Sequence, residues 1–381
     1  MLKVMTIFGT RPEGIKMAPV VMKLKSEKNI QPIVVLTAQH RQMLDQVMSL
    51  FDLQSDYDLN IMKDRQTLSD ITVRVLTGLE KVMEESKPDV VLVQGDTTTA
   101  FAGALSAFYH KIPVGHIEAG LRTDDMYNPF PEEMNRRIVS SLASLHFAPT
   151  REAKENLLKF GVEESKIYLT GNTVVDALQY ILSKDNAVYP KDFVDFHDDK
   201  KKILFVETHR RENLGEPMRN ICRALKRIVD KYKDIEIVFS VHRNPAVREV
   251  VFPELSNVER VLLMDPVDYP VMIGLMKKSF FVLTDSGGLQ EEAPSIGKPV
   301  VVLRENTERP EGLRAGTAVL AGTDENKIFE LSSQLLEDNK VYEKMSKAIN
   351  PYGDGKASER IVDILLNFKG VETRQIEEFA G

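Results

Sequence analysis

"VLTDSGGLQEEAPSIGKPVVVL", residues 282–303, reads as a strand, a turn, a helix and a second strand. The first apolar run stops at Ser286-Gly287-Gly288, a helical stretch carrying Glu291 and Glu292 follows, and "PVVVL" opens the next run. Two all-apolar strands joined through a helix are the building unit of a parallel sheet covered on both faces. The pattern extends in both directions. Upstream lie "KKILFVET" (201–208), "IEIVFSVH" (235–242), "RVLLMDP" (260–266) and "SFFVLTDS" (279–286), and "PVVVLRE" (299–305) closes the series. The first half repeats it with "KVMTIFG" (3–9), "QPIVVLTA" (31–38), "DVVLVQG" (89–95), "PVGHIEA" (113–119) and "LHFAPT" (145–150).

The two halves also begin alike. "TIFGTRPEGIK" (6–16) and "LFVETHRRENLG" (204–215) each run from a strand through a threonine and an arginine to a helix start. Between the halves, "KDNAVYPKDFVDFHDDK" (184–200) carries a proline and several aspartates without a sustained period, as a linker does. The expected fold class is α/β, with two Rossmann-like doubly wound domains facing a cleft. The expected boundaries are 1–183 for the first domain, 184–200 for the linker and 201–365 for the second domain. A C-terminal helix over 366–381 is expected to rejoin the first domain, its charged end lying in solvent.

A chain of 381 residues with 43% hydrophobic and 28% charged residues has the composition of an ordinary globular protein of two domains. Its net charge of −7 argues against nucleic acid or an anionic membrane as the main partner, so any bound anion must be gripped by local groups. The single cysteine, Cys222, has no internal disulfide partner, which fits a reducing cytoplasm; within an amphipathic stretch it reads as a buried structural thiol. No apolar run reaches the ~18 residues of a membrane span, and the apolar start reads as a strand rather than a signal peptide. There is no G-x-G-x-x-G fingerprint, no P-loop and no Cys/His cluster with zinc spacing, so no NAD, P-loop nucleotide or metal is expected.

Ligands of open α/β sheets bind beyond the carboxyl ends of the strands. At one such end, Ser286-Gly287-Gly288 opens a helix whose start carries about half a positive charge, an arrangement suited to a phosphate and also to a plain tight turn. A glutamate farther along the helix does not favour phosphate, but it accepts hydrogen bonds from paired sugar hydroxyls; phosphate with ribose means a nucleotide. At another end, Gly9 permits close approach while Arg11 and Lys16 supply cations, although Lys16 also suits a surface ion pair. His209 and Arg210 occupy the equivalent place in the second half. Asp96, Glu118 and Glu132 follow strands or lie in adjoining loops. Asp96 suits a helix N-cap and Glu132 a solvated first turn; together, opposite His209, they suit acid–base chemistry.

Seven segments, "FGTRPEGIKMAP", "TAQHRQML", "QGDTTT", "HIEAGLRT", "NPFPEEMNRR", "THRREN" and "TDSGGLQEEAPSIGKPV", resemble bacterial UDP-N-acetylglucosamine 2-epimerases of the non-hydrolysing type. The resemblance runs in order from residue 3 to about residue 365. It implies the fold of the B-type glycosyltransferases and reversible conversion of UDP-GlcNAc to UDP-ManNAc, for surface polysaccharides such as teichoic acids or capsules. It implies catalytic roles for Asp96, Glu118, Glu132 and His209. It implies uridine-diphosphate contacts for Arg11, Lys16, Ser286, Gly287, Gly288, Glu292 and Arg309. Gln39, His40, Gln42, Arg65, Gln66, Arg210 and His242 match segments that bind an activating UDP-GlcNAc. A cytoplasmic homodimer without a cofactor is implied as well.

The chemistry agrees with a missing cofactor. The C2 proton has no adjacent carbonyl, so removing it alone leaves an unstabilised carbanion, whereas elimination of UDP from C1 gives 2-acetamidoglucal. The alternatives are a hydrolysing epimerase that releases free ManNAc, a B-type glycosyltransferase with an acceptor pocket, and a non-catalytic UDP-sugar sensor.

Overall fold

The computed structural model describes residues 1–39, 41–63, 66–123, 125–184 and 187–381. Among these residues the chain forms two compact units, one of Met1–Ala177 with Tyr352–Gly381, the other of Leu178–Pro351.

The first unit is built on strands β1 (Leu2–Phe8), β2 (Ile30–Leu36), β3 (Tyr57–Asp58), β4 (Val90–Gln94), β5 (Val114–Ile117), β6 (Leu145–Ala148) and β7 (Ile167–Leu169). They form one parallel sheet in the order β3-β2-β1-β4-β5-β6-β7. The second unit contains β8 (Lys202–Thr208), β9 (Ile235–Val241), β10 (Val261–Met264), β11 (Ser279–Thr284), β12 (Val300–Val302) and β13 (Ala318–Leu320). Its sheet is also parallel, in the order β10-β9-β8-β11-β12-β13. Counted from its own first strand, each sheet runs 3-2-1-4-5-6, and the first adds a seventh strand. This is the Rossmann order, with its switch point between the first and fourth strands.

The strands are mainly apolar because both faces are covered; β4 and β9 are buried along their whole length, β9 with Glu236 and Ser240 among its apolar residues. In the first unit Met5, Ile7, Val91 and Val93 pack against Val75, Leu79 and Ala100. In the second unit, helix Glu216–Lys231 buries Met218, Ile221, Cys222, Leu225, Ile228 and Val229, a stripe at helical spacing. Each such large apolar side chain contributes roughly 1.5–3 kcal/mol on burial. Burial pushes the Cys222 thiol up to about 12, so the thiolate is suppressed and the residue is structural.

The structure departs from the sequence expectations in several places. Strands β3, β7 and β13 have two or three residues each, too few for a period to be read. Residues 187–200 are packed onto the second unit rather than forming an irregular linker. They contain the helix Lys191–Phe196 with a buried Phe193, which lies against Tyr189 and His197, and His197 Nδ1 meets Glu236 at 2.9 Å. The boundaries of the units fall at 177/178 and 351/352 instead of 183 and 365. The last helix is Ala357–Phe368 rather than 366–381, and it belongs to the first unit. The tail after it is tied down: Arg374 pairs with Glu27 and Asp363, and the Phe379 N–H donates to Leu169 O at the end of β7. No helix among the described residues is long and apolar enough to cross a membrane.

Candidate active site

In the first unit, β1 and β4 flank the switch point, and the turns that follow them carry Gly9-Thr10-Arg11 and Gly95-Asp96. Gly9 is fixed by space: a Cβ there would lie 1.9 Å from Thr37 Oγ1 and 2.8 Å from Thr99 Oγ1. Thr10 and Glu13 form a capping box that starts the helix Arg11–Ser26, with Pro12 in its first turn. Glu13 also joins the two turns. Its carboxylate accepts the N–H groups of Gly9 (3.0 Å) and Thr10 (2.8 Å) and the Thr97 hydroxyl (2.5 Å). Burial pushes its pKa upward against those donors.

Asp96 is half-buried and held by Arg136, whose Nε and Nη2 lie 2.8 and 2.7 Å from one carboxylate oxygen. Asn135 donates to the Asp96 carbonyl at 2.8 Å. Glu118 is buried and sits at φ +63°, a left-handed conformation that costs a non-glycine residue energy and recurs at functional positions. Its carboxylate takes hydrogen bonds from Lys16, Gln94 and Asn172. Lys16 therefore meets Glu118. Glu132 opens the helix Glu132–Leu142, half-buried, while neighbouring Glu133 is buried and pairs with Arg136 and Arg137. Arg11 is half-buried at the start of the helix Arg11–Ser26.

In the second unit the corresponding turns follow β8 and β11. Asp285, fully buried, accepts the backbone N–H groups of His209 (2.9 Å) and Arg210 (3.0 Å) and the Asn213 amide (2.8 Å). Burial pushes its carboxyl up. This bridging sets His209, whose Nδ1 lies 2.9 Å from Glu207 Oε1; that bond pushes the imidazole pKa upward although burial opposes it. Glu207, His209 and Asp285 each bring a possible ligand atom within 4.8 Å of the others. The Asp285 oxygens are already engaged by N–H donors and Glu207 by the imidazole, so the group is a hydrogen-bonded cluster.

Ser286 N-caps the helix Gly287–Ser295 without a side-chain bond to its first turn. At Gly287 a Cβ would lie 3.8 Å from Arg210 Nη2 and 3.9 Å from Arg309 Nη2, so two guanidinium groups converge over a bare helix start together with Gly288. That is a geometry for a doubly charged phosphate group. The two glutamates raised by the sequence have separate tasks. Glu291 pairs with Arg309 and aims it. Glu292, buried, accepts the Tyr269 hydroxyl at 2.7 Å on Oε1.

Among the residues matched to an activator, Gln39 accepts from Thr99 Oγ1 at 3.0 Å, Gln42 is exposed, and Gln66 accepts from the Lys63 N–H at 3.2 Å. His40 and Arg65 lie outside the described residues. His242 is exposed with its ring centre 6.1 Å from that of His209. Arg210 stands at Gly287, with Arg309. Sequence reasoning missed Glu13, Arg136, Glu207, Tyr269 and Asp285. Asp285 was detectable as an acid one residue past a strand, whereas Glu133 and Arg136, at i, i+3 on one helix, read as a surface ion pair.

The family model described as UDP-N-acetylglucosamine 2-epimerase matches residues 22–366. The UDP-N-acetylglucosamine 2-epimerase of Bacillus subtilis is 54% identical over 380 residues, covering 100% of this chain and 99% of its own. That of Escherichia coli K12 is 51% identical over 376 residues, covering 96% and 99%. A crystal structure of the Neisseria meningitidis UDP-GlcNAc 2-epimerase bound to UDP-GlcNAc superposes with a TM-score of 0.88 at 50% identity, over 96% of this chain and 100% of that one. With the fold, the switch-point acids and the arginine-lined glycine turn in agreement, the chain is an enzyme of the UDP-N-acetylglucosamine 2-epimerase family, of the bacterial non-hydrolysing kind.

Proposed function

We propose that the enzyme interconverts UDP-GlcNAc and UDP-ManNAc by eliminating UDP to 2-acetamidoglucal and adding it back. The observation that carries this reading is the convergence of Arg210 and Arg309 on Gly287, with the anchored Glu292 carboxylate on the same short helix. Such a group takes a pyrophosphate and a ribose diol, and the Neisseria relative is bound to UDP-GlcNAc.

Elimination needs a grip on a departing diphosphate and proton-transfer groups for both faces of C2. Ser286, Gly287, Gly288 and Arg309 supply the grip, with Arg11 and Lys16 as further cations. Asp96, Glu118 and Glu132 supply the proton transfers. His209, beside two acids, stabilises the leaving group. The product serves surface-polysaccharide synthesis in the cytoplasm.

A second UDP-GlcNAc acts as an activator through Gln39, His40, Gln42, Arg65, Gln66 and His242, with Arg210 shared between the two ligands. The enzyme works as a homodimer through the apolar face of the first unit. There Leu68, Val73, Phe101 and Pro131 line a groove of about 380 Å³, and Phe108 is exposed nearby on the helix Thr98–Tyr109. Sedimentation of Phe108→Glu as the same species as the parent chain would remove that interface.

Product analysis tests the main reading. UDP-GlcNAc incubated with the enzyme is expected to reach a fixed mixture with UDP-ManNAc, with slow leakage of UDP and 2-acetamidoglucal. Free ManNAc as the main product would identify a hydrolase, and an unchanged sugar nucleotide would oppose any epimerase.

A further inference from the structure

Glu207 lies near the end of β8, and both of its oxygens are engaged. Oε2 accepts the Thr284 hydroxyl of β11 at 3.3 Å, and Oε1 lies 2.9 Å from His209 Nδ1. A carboxylate only accepts hydrogen bonds, so the proton of this bond sits on Nδ1, and Nε2 is the ring atom left for a ligand. Asp285 Oδ1 is 3.5 Å from the same nitrogen, but its carboxylate is occupied by the N–H groups of His209 and Arg210 and by Asn213. Asp285 thus fixes the backbone, and Glu207 fixes the ring.

We propose that Glu207 is a positioning residue: it holds His209 through Nδ1–H, so that Nε2 faces the leaving diphosphate as a charged donor. This rests on the role given to His209 above. No bond of the imidazole breaks; Nε2–H donates to a phosphoryl oxygen while the C1–O bond opens, and Nδ1–H stays on nitrogen beside Glu207. The charged or titratable groups around the ring are Glu207 on β8, Asp285 after β11, Arg210 on the same segment and His242 after β9. The acids favour the charged form of the ring, with Glu207 the larger influence, while burial and Arg210 oppose them.

Glu207→Gln keeps an oxygen acceptor for Nδ1–H and removes the charge. In that variant of the full chain, the ¹³C-detected titration of His209, assigned by its loss in His209→Asn, is expected to fall by about one pH unit. The alkaline limb of kcat should move down with it, giving about a tenfold loss of kcat on that limb. KM and UDP affinity should stay within about twofold, because the Gly287 group is untouched. Thr284→Val removes the hydroxyl on Oε2, and with it the acceptor of the Ser286 N–H at 2.9 Å, and should move both readouts in the same direction by less. An unmoved titration in either folded variant, or a moved titration with an unmoved kcat limb, would overturn the proposal. Full turnover by His209→Asn would instead overturn the role given to His209, and the Glu207→Gln titration would then report the pairing by itself.

Discussion

At the Asp96 carboxylate, Arg136 supplies two donors while its Nη1 also reaches Glu133, so the acid is oriented beside the switch point of the first sheet. Asp96→Asn keeps the shape and removes the ionisable group proposed to take part in proton transfer. Steady-state kinetics are expected to show kcat reduced by about 10²–10⁴-fold, the usual contribution of a positioned proton-transfer group, with UDP binding by calorimetry nearly unchanged. Near-normal turnover would take Asp96 off the list. Asp96 was visible in the sequence because it directly follows an apolar strand. Arg136 was not, since an arginine three residues after a glutamate on a helix reads as a surface ion pair. Glu13 was hidden for a related reason: a glutamate in a first helical turn looks solvated, yet here it is buried and joins two turns.

Among the elements, the return of the chain to the first unit depends on a cap supplied from elsewhere. The helix Ala357–Phe368 has Lys356 at its N-cap with no side-chain bond, and the Asp176 carboxylate takes the N–H groups of Ala357 (3.3 Å) and Ser358 (2.7 Å) instead. Burial pushes Asp176 up from 3.8 to about 6. A carboxyl whose folded pKa lies above its unfolded one adds stability that is full below about pH 4 and is lost as pH rises to about 6. Asp176→Asn retains an acceptor and does not titrate. Urea unfolding is therefore expected to show the variant gaining on the parent by up to ~3 kcal/mol between pH 4 and pH 7. A constant difference across that range would contradict the burial account. Long strands of this fold were legible because their apolar runs are continuous. The short strands β3, β7 and β13 and the cap from Asp176 were not, because they depend on neighbours distant in sequence.

For the whole molecule, the doubled 3-2-1-4-5-6 order explains why the candidate site residues fall at the strand ends 9–11, 95–96, 209–210 and 285–288. The repeat was readable because both halves start alike, whereas the exact unit boundaries were not, since the polar stretch after residue 184 packs rather than links. If a second UDP-GlcNAc is the activator, turnover starting from pure UDP-ManNAc should show a lag that a trace of UDP-GlcNAc abolishes. Progress curves without a lag would remove that role.

The central claim is that loss of UDP from C1 lets an unactivated C2–H bond break and re-form. Incubation of UDP-GlcNAc with the enzyme in D₂O, followed by NMR of the recovered sugar nucleotides, tests it most directly. The account predicts deuterium at C2 in both UDP-GlcNAc and UDP-ManNAc; formation of UDP-ManNAc with C2 still carrying its original hydrogen would contradict it.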